Sequence, residues 1–189
     1  MNNNVTMGVC DYLTGQGHAV IRFNFRGSGK SSGKTSWTAE GEKDDLRAVI
    51  EYAIAQGYSN IITIGYSYSA LVVASVFDSI PQVLAAAFIS LPYSVTWFLS
   101  LFQGSSLLSP LATSSKPKLF IHGYSDSFTG LPKFQAEMER VAEPRMVALC
   151  GANHFWGGLE NLITDQLQKW LDAFVPTLSL TPFSHSFAN

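Results

Sequence analysis

Short apolar runs rich in β-branched and aromatic residues recur along this chain, separated by stretches whose apolar positions fall three and four apart. Residues 18–25, 60–65, 84–89, 118–122 and 146–149 are runs of the first kind. They are nearly continuous in apolar residues, as parallel strands covered on both faces are. Between them, Leu46, Val49, Ile50, Ala53 and Ile54 share one helical face, with Gly57 as a C-terminal stop. Residues 69–77, 132–141 and 159–174 read as further helices. The alternation predicts an α/β fold with a doubly wound, mostly parallel sheet. Residues 91–115, rich in Leu, Ser and aromatics, fit no crossover helix cleanly and read as an insertion or short lid over the ligand edge. The pattern predicts one domain over residues 1–175 and a mobile tail over 176–189.

Composition narrows the class. Apolar residues make up 47% of the 189 positions and charged ones 14%, which excludes a disordered chain. Twelve basic against fourteen acidic side chains leave a net charge of −2, so no basic surplus exists to neutralise a nucleic acid. Two cysteines, Cys10 and Cys150, make no disulfide framework. Their scarcity fits a reducing compartment, and with an N-terminus lacking a signal-peptide pattern the expected location is cytoplasmic. Residues 79–115 contain no Asp, Glu, Lys or Arg, and 83–102 is long enough to span a bilayer. Pro92 and the hydroxyls of Ser90, Ser94, Thr96 and Ser100 interrupt it, so a buried strand followed by an apolar helix is expected and no membrane span.

The strongest local signal is Gly65-Tyr66-Ser67-Tyr68-Ser69, placed directly between a predicted strand and a predicted helix. A sharp strand-to-helix turn lifts the middle hydroxyl into a cleft and demands small residues two positions to either side. The usual pattern closes with glycine; here that position holds Ser69. A serine nucleophile needs a base and the base an orienting acid. Asp126 follows the strand ending at His122, and His154 follows the strand ending near Cys150. In a parallel sheet, loops after strand C-termini share one edge. The order Ser67, Asp126, His154 is the chain order of an α/β-hydrolase triad.

On these residues the chain resembles the α/β-hydrolase superfamily over nearly its whole length. The stretch Phe23-Asn24-Phe25-Arg26-Gly27-Ser28-Gly29-Lys30-Ser31 is similar to that family's loop after its fourth strand. With Met1-Asn2-Asn3-Asn4 and the Gly-x-x-His-Phe of residues 151–155, it resembles a group of small serine hydrolases with a short lid or none. The resemblance implies Ser67 as nucleophile, His154 as general base, Asp126 as its orienter and the Tyr68 N–H as an oxyanion donor. It also implies that the family's first three strands have no counterpart ahead of Met1. A second oxyanion donor would then be missing, and a slot about 10 Å wide, two strand spacings, would separate residues 18–25 from 61–64. Unpaired backbone lining that slot would leave the 189-residue chain insoluble or partly unfolded.

Other candidates read blandly. Gly27 to Thr35 looks phosphate-binding, but a P-loop needs glycine where Asn24 or Ser28 stands, and Lys30 and Lys34 are solvated loop charges. His122 lies within a strand and is expected to be a satisfied structural histidine; His18 and His185 suggest no site. No cysteine, histidine or carboxylate grouping has metal-ligand spacing, so no metal and no cofactor are expected. Cys150 reads as an inert core thiol. Trp97, Phe98 and Phe102, with Leu101, Leu107 and Leu108, could line an apolar substrate pocket or simply pack. Two functions stay open: a serine hydrolase acting on a small ester, thioester or related acyl substrate, and a non-catalytic α/β-hydrolase-like interaction protein. Substrate identity and oligomeric state are not legible.

Overall fold

The computed structural model describes residues 2–36, 38–95 and 104–174. Strands β1 (Ile61–Tyr66), β2 (Val83–Ile89), β3 (Lys118–Ser125) and β4 (Arg145–Asn153) form a parallel sheet in the order β1-β2-β3-β4. Each grows from one of the apolar runs, extended by a few residues. Side chains alternate across it with period two. Ala86, Phe88 and Phe120 face one layer, while Ala85, Ala87, Ile89, Leu119 and Ile121 face the other. The first layer holds α2 (Glu40–Ala55) and the crossover helices α3 (Tyr68–Val76), α4 (Gly104–Thr113) and α5 (Leu131–Met138). Right-handed crossovers that step in one direction place their helices on one face, which accounts for this grouping. The second layer is built by α1 (Asn4–Gly15) and α6 (Glu160–Phe174), through Val5, Val9, Leu13, Ile163, Leu167 and Trp170. The sheet is therefore covered on both sides, as the unbroken apolar strands require.

Two helices depart from the sequence reading. Helix α1 was not expected; its signal is Asn3, whose side chain accepts the Thr6 N–H at 3.2 Å as an N-cap. Helix α4 lies in the stretch that fits no crossover helix cleanly, yet it packs on α3 as one.

The expected strand over residues 18–25 does not form. The segment carries no strand ladder, and its Ile21 is 46% exposed. A single extended segment cannot form a ladder with itself, and among the described residues no strand stands beside it at ladder distance. Between it and β1 lies a cavity of about 770 Å³, walled by residues 18–23 and Phe25 on one side and Ile61–Ile64 on the other, with Leu46, Ile50, Leu167 and Trp170 above and below. On β1, Ile61 N–H donates to Gln82 and Ser67 N–H to Ile89, both at 2.9 Å, so odd-numbered amides face β2. The amides of Ile62 and Ile64 face the cavity and have no partner among the described residues. Buried Thr63 Oγ1 and Trp170 Nε1, on residues lining the same cavity, also lack partners there. A cavity thus stands beside β1, where the family resemblance places the slot.

The glycine-rich loop is anchored to α2. Arg26 donates from its backbone N–H and its guanidinium to Asp45 on α2, at 2.7–3.1 Å. That hydrogen bond holds the Asp45 carboxyl below its usual range, with burial opposing it. Lys30 and Lys34 point to solvent. Cys10 and buried Cys150 are free thiols. Among the described residues, no helix is long and apolar enough to cross a membrane.

Candidate active site

Strand β1 ends at Tyr66 and α3 begins at Tyr68, which leaves Ser67 alone at the turn. Its φ of 53° and ψ of −125° lie where an L side chain is strained. Neighbouring structure enforces that conformation. The Ser67 N–H donates to Ile89 O of β2, and its carbonyl accepts the Ala70 N–H, both at 2.9 Å. The close helix–strand approach falls on Gly65, where an added Cβ would sit 2.5 Å from Ala70 Cα and 2.7 Å from Ser69 O. Ser69, in the place of the usual second glycine, has room. Its hydroxyl accepts the Tyr66 N–H and donates to the Tyr66 carbonyl, each at 2.8 Å.

Asp126 follows the last residue of β3 and His154 the last residue of β4. Ser67 Oγ lies 2.9 Å from His154 Nε2, and His154 Nδ1 lies 2.8 Å from Asp126 Oδ2. The second carboxylate oxygen, Oδ1, accepts the N–H groups of Phe128 at 2.9 Å and Thr129 at 3.2 Å. Burial by itself would raise the Asp126 pKa. The hydrogen bond and charge of His154, the Phe128 N–H and the nearby His122 outweigh it and hold the carboxyl below its usual value. The three residues singled out in the sequence thus converge at one sheet edge. Such an arrangement can take a proton from a serine hydroxyl while the buried anion fixes the imidazole tautomer. The Tyr68 N–H, in the first turn of α3, has no hydrogen-bond partner among the described residues and can serve a developing oxyanion.

Several supporting groups carry no sequence signal of their own. Tyr66 OH donates to His154 O at 2.8 Å, and the rings of the two residues lie 5.7 Å apart. Burial raises the Tyr66 pKa, so the phenol stays a donor. Buried Trp156 donates from Nε1 to Ser90 Oγ at 2.9 Å. The Phe128 ring lies 4.2 Å from that of His154. His122, expected to be fully satisfied, is satisfied at one nitrogen only. Its Nε2 binds Thr129 O at 2.8 Å, its ring stacks on Phe134, and Nδ1 faces Asp126 Oδ2 at 4.0 Å without a hydrogen bond. Burial lowers its pKa, keeping it neutral. Trp97, Phe98 and Phe102 lie outside the described residues.

Comparison with known proteins agrees with this architecture. A family model described as serine aminopeptidase, S33, matches residues 3–180. The chain therefore belongs to that family of α/β hydrolases, and its fold and family mark it as a hydrolase. No curated protein matches the chain. Among solved structures, an α/β serine hydrolase homologue from Coxiella burnetii is 26% identical, with a TM-score of 0.77 over 89% of this chain and 76% of that one. A lidless α/β serine hydrolase from Xanthomonas campestris is 24% identical, with a TM-score of 0.79 over 96% of this chain and 77% of that one. The esterase domain of a Rhodothermus marinus protein is 22% identical, with a TM-score of 0.72 over 90% of this chain and 80% of that one. At such identities the latter two speak for the fold alone.

Proposed function

We propose that this protein is a serine hydrolase that cleaves a small ester or related acyl bond through a covalent acyl-enzyme. Ser67 Oγ attacks the acyl carbon while His154 Nε2 takes its proton. Asp126 holds the Nδ1–H tautomer and stabilises the imidazolium, and the Tyr68 N–H binds the oxyanion. Collapse of the tetrahedral intermediate breaks the bond to the leaving alkoxide, which takes the proton from Nε2. Water then attacks the acyl-enzyme by the same route, and Ser67 is regenerated with the free acid.

The observation that carries this reading is the unbroken pair of hydrogen bonds from Ser67 Oγ through His154 to Asp126, at 2.9 and 2.8 Å. Strained backbone at Ser67 adds support, since such strain concentrates at functional sites. The test is labelling with a fluorophosphonate, which phosphonylates an activated serine and releases fluoride. The intact chain should be labelled at Ser67, and Ser67→Ala should not be labelled. A folded wild-type chain that resists the probe would assign the protein to the non-catalytic reading instead.

A further inference from the structure

Large apolar side chains that stay exposed beside a catalytic histidine call for an explanation. Phe155 is 60% exposed and Phe128 is 38% exposed, yet both are fixed in place. The Phe155 N–H donates to Asn153 Oδ1 at 3.0 Å, and its carbonyl accepts Asn4 Nδ2 at 2.9 Å. The Phe128 N–H is held by Asp126 Oδ1 itself at 2.9 Å. The two rings stand at 83° with centroids 6.2 Å apart, and both adjoin the His154 ring, at 4.2 Å for Phe128 and 5.6 Å for Phe155. They form a right-angled aromatic corner at the imidazole.

We infer that this corner is the subsite for the alcohol half of the substrate and that it selects a flat aryl group, as in an arylalkyl ester. The inference rests on the hydrolase reading above and deepens it. His154 Nε2 must hand its proton to the leaving oxygen, so the group attached to that oxygen lies beside the imidazole rather than beside the acyl carbon. A flat ring placed there can offset-stack on one phenylalanine while the other meets it edge to face. A saturated alcohol of similar size gains the area but not the ring geometry. Pinned backbones make the corner preorganised, so little side-chain freedom is lost on binding.

The experiment compares kcat/KM for benzyl, cyclohexylmethyl and ethyl acetates, whose acyl half is constant. Wild type should prefer benzyl over cyclohexylmethyl acetate by about five- to tenfold, the upper part of the roughly two- to twelvefold worth of an aromatic pair contact. Phe155→Leu and Phe128→Leu should each cut that ratio to about twofold or less, whereas Phe155→Tyr, which keeps the ring, should retain it. The ratio cancels any change in the triad itself. Independently of turnover, benzyl alcohol titrated into the full chain should shift the Phe155 and His154 ring resonances, and Phe155→Leu should abolish the His154 shift. A wild-type ratio near one, or rings that benzyl alcohol leaves unmoved, overturns the inference. Fluorophosphonate labelling of Ser67 with a ratio near one sinks the subsite alone. Ring shifts without labelling or hydrolysis would uphold an aryl site and sink the hydrolase reading.

Discussion

Replacing Asp126 by asparagine separates the carboxylate's two tasks. An asparagine oxygen can still accept the Phe128 and Thr129 N–H groups that Oδ1 accepts at 2.9 and 3.2 Å, so the loop after β3 keeps its shape. The amide NH₂ then faces His154 Nδ1, where Oδ2 stood at 2.8 Å, and a donor meets a donor. The imidazole escapes by moving its proton to Nε2, where it can only donate to Ser67 and can no longer accept. A wrong tautomer in a serine triad costs on the order of 10⁴ in turnover. The fluorophosphonate labelling rate of Asp126→Asn should therefore fall by at least about a thousandfold at pH 7. Stability should move less, by about 1–3 kcal/mol, because one hydrogen bond to a charged group is weakened and two are retained. The lost part depends on pH. The folded-state pKa of Asp126 lies below the ordinary value near ~3.9, so its stabilisation is complete above that value and disappears as pH falls through the lower folded one. Urea midpoints of wild type and variant should differ at pH 7, begin to converge as pH falls below about 4, and meet only below the lowered folded-state value. Labelling of the variant within tenfold of wild type would falsify the tautomer argument.

Ser69→Ala removes two 2.8 Å hydrogen bonds to Tyr66 and should lower stability by about 1–2 kcal/mol in urea denaturation; an unchanged midpoint would mean that the hydroxyl is not engaged. Hydrogen exchange along β1 should alternate: Ile61, Thr63 and Gly65 amides protected by β2, Ile62 and Ile64 exchanging faster. Equal protection of all five would show that something covers the outer edge of β1. Trp156→Phe keeps the buried ring but leaves Ser90 Oγ without its 2.9 Å donor, and should cost about 1–3 kcal/mol in thermal or urea unfolding.

The four strands of the sheet were legible, because burial under helices on both faces forces nearly unbroken apolar runs. Residues 18–25 carry the same apolar signature and make no ladder, since an apolar run reports burial tendency and says nothing of whether a partner stands at hydrogen-bonding distance. Helix α1 was missed because only Val5, Val9 and Leu13 bury, a narrow stripe behind a polar start, and its cap rests on Asn3 alone. At the site, Ser67, Asp126 and His154 were legible because the chemistry restricts their identity and the fold restricts their place to strand ends. Tyr66, Trp156 and Ser90 act through a carbonyl, an indole N–H and a hydroxyl brought together across long sequence separations, and no local pattern encodes that. The Phe128 and Phe155 pair was hidden for another reason. Exposed aromatics look like core residues in a sequence, and only their observed exposure distinguishes them.

Sheet register explains how residues on β1 and β4 come to touch. Adjacent strands lie ~4.8 Å apart, so strand ends of equal height would leave Ser67 and His154 about 14 Å apart across β2 and β3. The strands do not end at equal height. Tyr66 is level with Ile89 and Ile89 with Ile121, but β3 and β4 run on to Ser125 and Asn153. That overhang begins where β2 stops. There Ser90 adopts φ 48°, which ends the extended backbone of β2. The register of β3 and β4 shifts between Gly123 and Ser125, an irregularity of the kind that raises local strand twist. Gly123 is needed for that close approach, since a Cβ there would sit 2.3 Å from Ala152 O. Trp156 Nε1 on Ser90 Oγ and Tyr66 OH on the His154 carbonyl then tie the overhang down at both sides. The 2.9 Å contact between Ser67 Oγ and His154 Nε2 thus sits on strands that end at unequal heights and is braced by groups outside the triad.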